Sequence, residues 1–84
     1  LKDPEIRLHY EEERTKSEIA AAVKAARKRA GLTQEQLAKK IGTSQSVIAR
    51  LESGSDSRTP SLALLARIAS ACDAKLEFGF KFAG

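Results

Sequence analysis

The segment from Gln34 to Gly54 constrains the fold of this 84-residue chain more than any other part of the sequence. Thr33 can cap a helix that starts at Gln34, and Gln36 follows Thr33 by three residues, which is the spacing of a capping box. Gly42 then provides a residue that adopts positive φ without steric cost, as a sharp turn between two helices requires. The segment therefore predicts two short helices that cross around one tight turn.

The side chains of these two helices divide into an inward and an outward set. In the first helix Leu37 and Ile41 stand one turn apart and face inward, while Ala38 is small enough for the second helix to cross close by. Ser44 is the predicted cap of the second helix. The buried stripe of that helix comprises Val47, Ile48 and Leu51. Its outward residues are Gln45, Ser46, Ala49 and Arg50.

This pattern resembles the phage repressor and Cro-like family of DNA-binding domains, also called the Xre family. The resemblance extends from Leu32 to Leu65. It rests on a set of constrained positions, namely Gln34, Leu37, Ala38, Gly42, Thr43, Ser44, Gln45, Ile48, Leu51, Glu52 and Gly54. It implies that the second helix enters the major groove through Gln45, Ser46 and Arg50, and that Gln34 and Ser44 contact phosphates.

Gln45 and Arg50 carry the side chains best suited to reading bases. Glutamine forms a paired hydrogen bond with adenine N6 and N7, and arginine does the same with guanine O6 and N7. Ser46 and Ala49 complete the predicted base-reading set, although their short side chains predict weak direct readout. The alternative is that Gln45 and Arg50 are ordinary solvated residues on an exposed helix.

Positive charge is concentrated around the two-helix segment. Residues 1–15 carry three basic and five acidic side chains, residues 16–58 carry nine and four, and residues 59–84 carry three and two. Such a footprint suits the phosphates on either side of a groove. The family resemblance also implies that the loop after Gly54 follows the DNA backbone, and together these give the predicted phosphate contacts Gln34, Lys39, Thr43, Ser44, Ser57, Arg58 and Thr59. Arg27, Lys28 and Arg29 precede the segment and belong to this basic footprint, and the alternative for them is that they complement a helix dipole. The alternative for residues 57 to 59 is a linker without DNA contact.

Further helices are predicted on both sides of this segment. Asp3 and Pro4 indicate a helix to about Arg14, and Ser17 begins a second one that Gly31 closes. Thr59, as a cap before Pro60, indicates a last helix. Its apolar stripe comprises Leu62, Leu65, Ile68, Ala69 and Cys72. The predicted fold is all-α, a repressor-like five-helix domain containing the helix-turn-helix, with an N-terminal acidic helix and a C-terminal β-strand that pairs in a dimer.

The spacing of apolar residues changes from helical to alternating in the C-terminal segment. Leu76, Phe78, Phe80 and Phe82 alternate with Lys75, Glu77, Gly79 and Lys81, which predicts a strand with one apolar face. A lone strand leaves its backbone groups unpaired and here would expose three phenylalanine rings. We therefore predict a homodimer in which two copies of the strand pair, so that two reading helices meet a palindromic operator in double-stranded DNA. The alternative is that this segment folds back on its own helices.

The order of segments along the chain makes the family resemblance more specific. The chain divides into a helical acidic extension at residues 1–15, a helix-turn-helix domain at 16–74 and a dimerisation strand at 75–84. This order resembles the antitoxins of HigA-like and HipB-like toxin–antitoxin pairs, which implies a repressor of its own operon that also neutralises a cognate toxin. The candidate toxin-binding residues are Ile6, Leu8, Tyr10, Glu11 and Glu12. The alternative is a free-standing regulator, such as a prophage-type repressor or a restriction controller.

Other functions have little support in the sequence. His9 and Cys72 are the only His and Cys, so we expect no enzyme, no metal site and no cofactor. A single Cys excludes an internal disulfide and suits a reducing cytoplasm. No apolar run is long enough to span a membrane, so no membrane partner is expected. Because the chain contains no Met, we expect the natural protein to have residues before Leu1.

Overall fold

The computed structural model describes residues 3–54 and 58–83, and the chain forms four helices and no strand within these ranges. Helix α1 spans Pro4–Arg29, α2 spans Gln34–Ile41, α3 spans Gln45–Ser53 and α4 spans Leu62–Ala71. The prediction of an all-helical domain is confirmed. The described residues contain neither the predicted fifth helix nor the predicted C-terminal strand.

The N-terminal end of α1 is capped as the sequence predicts. The backbone N–H of Glu5 donates a hydrogen bond of 2.9 Å to the carboxylate of Asp3, and Pro4 occupies the first turn. At the other end the helix stops before Gly31, which has a φ of 74°. The N–H of Leu32 reaches back to the carbonyl of Arg27 at 3.1 Å, which satisfies one of the last carbonyls of the helix.

Helix α1 is continuous, so the prediction of a separate acidic helix is wrong. Arg14 pairs with Glu11 at 2.6 Å on one side and with Glu18 at 3.9 Å on the other, and the second contact spans the predicted junction near Ser17. Neither Gly nor Pro occurs between residues 5 and 30, so no residue forces a break there. The acidic side chains are therefore part of the first half of α1, residues 4–15.

The first half of α1 extends beyond the core. Every residue from Asp3 to Tyr10 is exposed, and the first buried residue of the helix is Ala20. The molecule accordingly measures 44 Å along its longest axis and 25 and 19 Å along the others.

None of the helices in the described ranges has the length and apolar character required to cross a membrane.

Both ends of α2 form as the sequence predicts, including the turn that leads into α3. The hydroxyl of Thr33 accepts a hydrogen bond from the N–H of Gln36 at 3.0 Å, and the side-chain oxygen of Gln36 accepts one from the N–H of Thr33 at 2.8 Å. Gly42 has a φ of 76°, and the next N–H, from Thr43, donates to the carbonyl of Ala38 at 2.8 Å. A residue with a Cβ would adopt this backbone conformation at a cost of roughly 1–2 kcal/mol. The Gly therefore fixes where α2 ends and at what angle α3 begins.

The core lies where α3 packs against α1 and α2, and where α4 covers α2 and α1. Leu37 and Ile48 are fully buried at its centre. The other buried residues of this cluster are Val23, Ala38, Ile41, Leu51, Ile68 and Cys72. These include every predicted core residue of α2 and α3 except Val47, which is half-buried. The apolar face of α3 is therefore held against the protein, and the opposite face is left to solvent.

Helix α4 begins two residues later than predicted. The N–H of Leu64 donates to the hydroxyl of Ser61 at 3.0 Å, so the cap is Ser61 instead of Thr59. The rest of the predicted stripe is buried or half-buried, namely Leu65, Ile68, Ala69 and Cys72, and the exception is the first residue of the helix. Leu62, predicted for the buried stripe, is 70% exposed.

The C-terminal tail, residues 74–83, has no regular secondary structure. The predicted strand is wrong for the chain on its own, because a strand requires a hydrogen-bonded neighbour and the described residues provide none. Phe78, Phe80 and Phe82 are 81%, 81% and 88% exposed. Of the predicted strand, Lys75, Leu76 and Glu77 line the shallow groove between α1 and α4, and the three phenylalanine residues do not, so folding back onto the helices leaves the rings uncovered.

Candidate nucleic-acid interface

The polar face of α3 is open to solvent. Gln45, Ser46 and Arg50 are exposed, Ala49 is half-buried, and Ile48 is fully buried on the opposite side. Burial of one face against α1 and α2 fixes the rotation of α3 about its own axis. The four predicted base-reading residues are therefore held at the surface by packing that is independent of any ligand.

Gln45 is held by a side chain from α2. Its amide nitrogen donates a hydrogen bond of 2.8 Å to the side-chain oxygen of Gln34. Both residues stand at the first position of their helices. The structure thus brings together one residue predicted to read bases and one predicted to contact a phosphate, and it joins the N-terminal ends of the two helices.

Gln34 is in turn held by a buried carboxylate. Its amide nitrogen donates to Glu52 Oε1 at 3.2 Å. Arg27 donates to the same carboxylate through Nε to Oε2 at 2.6 Å and through Nη2 to Oε1 at 2.9 Å. Only 3% of the Glu52 side chain is exposed. One hydrogen-bond chain therefore connects Arg27 on α1, Glu52 on α3, Gln34 on α2 and Gln45 on α3.

Both charges of the buried pair are retained. Burial on its own would raise the pKa of Glu52, but hydrogen bonds from Arg27 and Gln34, with the charges of Arg27 and Lys24, lower it overall. The hydrogen bond to Glu52 raises the pKa of Arg27. A buried carboxylate is stable only when it is paired and hydrogen-bonded, and both conditions hold here.

The sequence did not predict the location of Arg27. The sequence predicts a place in the basic surface footprint or at the helix dipole for this residue, whereas its side chain is 8% exposed and donates Nη1 to the carbonyl of Leu32 at 2.8 Å. The available signal was its position four residues after Val23, on the buried side of α1. Lys28 and Arg29 are exposed.

Ser44 does not cap α3 with its side chain, contrary to the sequence prediction. Its hydroxyl lies 3.1 Å from the hydroxyl of Ser46, while its backbone carbonyl accepts hydrogen bonds from the N–H groups of Val47 and Ile48. Thr43, beside it in the turn, is half-buried. Two of the predicted contact residues, Ser44 and Ser46, are therefore paired with each other at the start of α3.

Lys39 is not brought to Gln34 or Gln45. It is exposed and borders a shallow depression between the end of α2 and α4, together with Lys40 and Arg67. Lys40 donates to the carbonyl of Ala71 at 2.9 Å, and Arg67 donates to the carbonyl of Ile41. These two cations satisfy carbonyls at the ends of α4 and α2, a stabilising role that no local pattern in the sequence indicates.

The remaining predicted phosphate contacts follow α3. Arg58 and Thr59 are exposed, and Ser57 lies outside the described residues. Arg58 borders a small hollow whose lining also includes Arg50 and Lys16. Positive charge therefore surrounds the C-terminal half of α3, and polar amides lie at its N-terminal end.

A buried helix pair around a tight turn, with the polar face of the second helix exposed beside cationic side chains, defines a helix-turn-helix DNA-binding domain. Residues 23–78 match the model of the family described as Helix-turn-helix (HTH_3). The chain belongs to this family and is a DNA-binding transcriptional regulator, a class that is generally not enzymatic. No curated protein matches the chain. The first half of α1 lies outside the family match.

Proposed function

We propose that this protein is a sequence-specific transcriptional repressor that binds a palindromic operator as a homodimer in the cytoplasm. The observation that supports it best is the exposed amide of Gln45, fixed at the start of α3 by Gln34 at 2.8 Å. A side chain already held in one orientation loses less conformational entropy when it meets a base than a freely rotating one. The arrangement suits a reading residue better than a solvated surface residue.

In the proposed complex α3 enters the major groove. Gln45 pairs with adenine and Arg50 with guanine, while Ser46 and Ala49 contribute short contacts to neighbouring base edges. Phosphates on the two sides of the groove are contacted by Gln34, Thr43, Ser44, Lys39, Ser57, Arg58 and Thr59. Phosphate contacts set the register of the protein on the duplex, and base contacts supply the sequence preference.

Replacing Gln45 with Ala is expected to reduce discrimination between the preferred base and its alternatives by about 1–3 kcal/mol, because one bidentate pair is lost. Replacing Lys39 with Ala is expected to weaken binding to all sequences alike and to lower the slope of log K against log salt by about one. Binding titrations on the selected operator and on random DNA, at several salt concentrations, measure both effects. Equal losses on the two DNAs for Gln45→Ala would contradict the base-reading role.

The homodimer is proposed from the exposed apolar side chains of the tail. Leu76, Phe78, Phe80 and Phe82 form the proposed dimerisation surface, and the rings of Phe78 and Phe80 already pack edge to face with centroids 5.5 Å apart. Phenylalanine residues that are four-fifths exposed are costly in water, and a second copy of the same tail would cover them. A two-fold dimer would also present two reading helices to two half-sites.

We further propose that the protein is the antitoxin of a toxin–antitoxin pair and that the first half of α1 binds the toxin. Ile6, Leu8 and Tyr10 are exposed there, Ile6 and Tyr10 one turn apart on one face and Leu8 on the opposite one, and the acidic Glu11 and Glu12 follow them on the part of α1 that extends away from the core. An exposed apolar set next to acidic side chains suits a partner with a basic surface. A free-standing prophage-type or restriction-controller regulator is the alternative, and a toxin-like reading frame beside the gene would favour the antitoxin.

Removing residues 1–15 is expected to abolish copurification with the product of the adjacent gene while leaving operator binding intact. The interface would be lost, whereas the buried part of α1 begins only at Ala20. Co-expression followed by affinity purification tests the first result, and a gel-shift titration tests the second. Undiminished copurification by the shortened chain would exclude this surface as the toxin-binding site.

A further inference from the structure

In the hydrogen-bond chain that ends at Gln45, Glu52 determines which atom of each side-chain amide donates and which accepts. An ionised carboxylate has only acceptor atoms, so a neighbouring amide can approach it only with its nitrogen. Gln34 does so, donating Nε2 to Glu52 Oε1 at 3.2 Å. The side-chain oxygen of Gln34 is thereby turned away from Glu52.

The same constraint passes to the reading residue. The Gln34 oxygen is an acceptor, so Gln45 must present its own nitrogen, and the distance between these two atoms is 2.8 Å. One N–H of the Gln45 amide is then used, and the second N–H and the oxygen Oε1 are left for a ligand. This donor and acceptor are the pair that adenine requires, because its N7 accepts a hydrogen bond and its N6 donates one.

We propose that Glu52 is a specificity-determining residue that orients the Gln45 amide through Gln34 without touching the DNA. The inference rests on the proposed base-reading role of Gln45. If the Gln45 amide were rotated by half a turn, its oxygen would face the Gln34 oxygen, and two acceptors would be left without a shared proton. Glu52 acts on Gln45 in this way because its carboxylate is anchored by Arg27 on the far side.

The test compares base preference at the position read by Gln45, on an operator first selected from random DNA with the wild-type protein. Gln34→Ala breaks the chain and leaves the Arg27–Glu52 pair in place. Arg27→Gln combined with Glu52→Gln replaces the carboxylate with an amide that can donate or accept, and leaves no unpaired charge. Arg27→Lys is the matched control, because it disturbs the same buried pair and keeps the carboxylate.

The wild-type preference for adenine is expected to be roughly 5- to 150-fold, which corresponds to one bidentate pair. It is expected to fall to the level of Gln45→Ala in Gln34→Ala and in the double variant, and to persist in Arg27→Lys. In the free protein, NMR of the side-chain amides is expected to show faster proton exchange at Gln45 in the first two variants only. Arg27→Lys is also expected to lower the stability of the domain. Faster exchange confined to the other two variants would therefore not be a consequence of lowered stability.

The outcomes separate this inference from the proposed function. If Gln45→Ala leaves the preference unchanged, the base-reading role fails and the inference fails with it. If Gln45→Ala removes the preference while Gln34→Ala and the double variant keep it, the base-reading role stands and the orienting role of Glu52 is overturned. A uniform loss of affinity for all bases in Gln34→Ala would likewise overturn it, since Gln34 would then serve only as a phosphate contact.

Discussion

Replacing Arg27 with Met is expected to destabilise the domain by about 3–5 kcal/mol, because the Glu52 carboxylate would stay buried without its cation. Small domains have unfolding free energies of about 5–15 kcal/mol, so this loss is a large part of the total. Denaturation by urea, followed by circular dichroism, measures it. Lys28→Met is the matched control on the exposed side of the same helix turn, with an expected effect within about 0.5 kcal/mol. A similar result for the two variants would contradict the importance of the buried pair.

The double variant Arg27→Met, Glu52→Leu is expected to recover most of that loss, since an apolar pair of similar size replaces two buried charges. Acidification provides a second readout. The pKa of Glu52 is lowered in the folded state, so its contribution to stability is present above the ordinary glutamate pKa and is lost as pH falls through the lowered value. The wild-type protein should lose stability over that acidic range, and the double variant should lack this part of the loss.

Replacing Phe78, Phe80 and Phe82 together with Ser is expected to yield monomers and to weaken binding to a two-half-site operator by about 10²–10⁴-fold. The reason is that two linked half-site contacts become independent events. Sedimentation equilibrium measures the oligomeric state, and titrations on one and two half-sites measure the affinity. Affinity for a single half-site should be unchanged. A triple variant that remains dimeric would place the dimer contact elsewhere.

Leu62→Ser is the matched control for the tail variant. Leu62 is also a large apolar residue that is exposed, at 70%, but it belongs to the start of α4. If its replacement reduced dimerisation as strongly as the phenylalanine changes, the effect would reflect general surface polarity and the tail would lose its proposed role.

The local features of the helix-turn-helix could be predicted from the sequence because each depends on residues within a few positions. The capping box of Thr33 and Gln36, the positive φ of Gly42 and the burial of Leu37 and Ile48 all follow from short spacings. These signals identified α2, the turn and α3 correctly. They also identified which face of α3 would be exposed.

The features that the sequence did not predict depend on distant residues or on a missing break. Arg27 meets Glu52 across 25 positions, and Lys40 meets Ala71 across 31, so neither contact leaves a local pattern. Ser17 resembles a helix start, but nothing before it stops the preceding helix, and α1 continues through it. The alternating tail satisfies the local pattern of a strand, while strand formation depends on a neighbour that the pattern does not contain.

The unbroken path of α1 has a mechanical consequence for any protein bound to its first half. From Tyr10 to Arg27 the helix rises by about 26 Å, at roughly 1.5 Å per residue, without a Gly or Pro at which it could bend. Such a partner would be attached to a stiff arm whose base is packed against the reading helix. The bound partner protein would occupy a fixed position relative to the DNA duplex. The length and direction of α1 would therefore decide whether the partner protein and the DNA can bind at the same time.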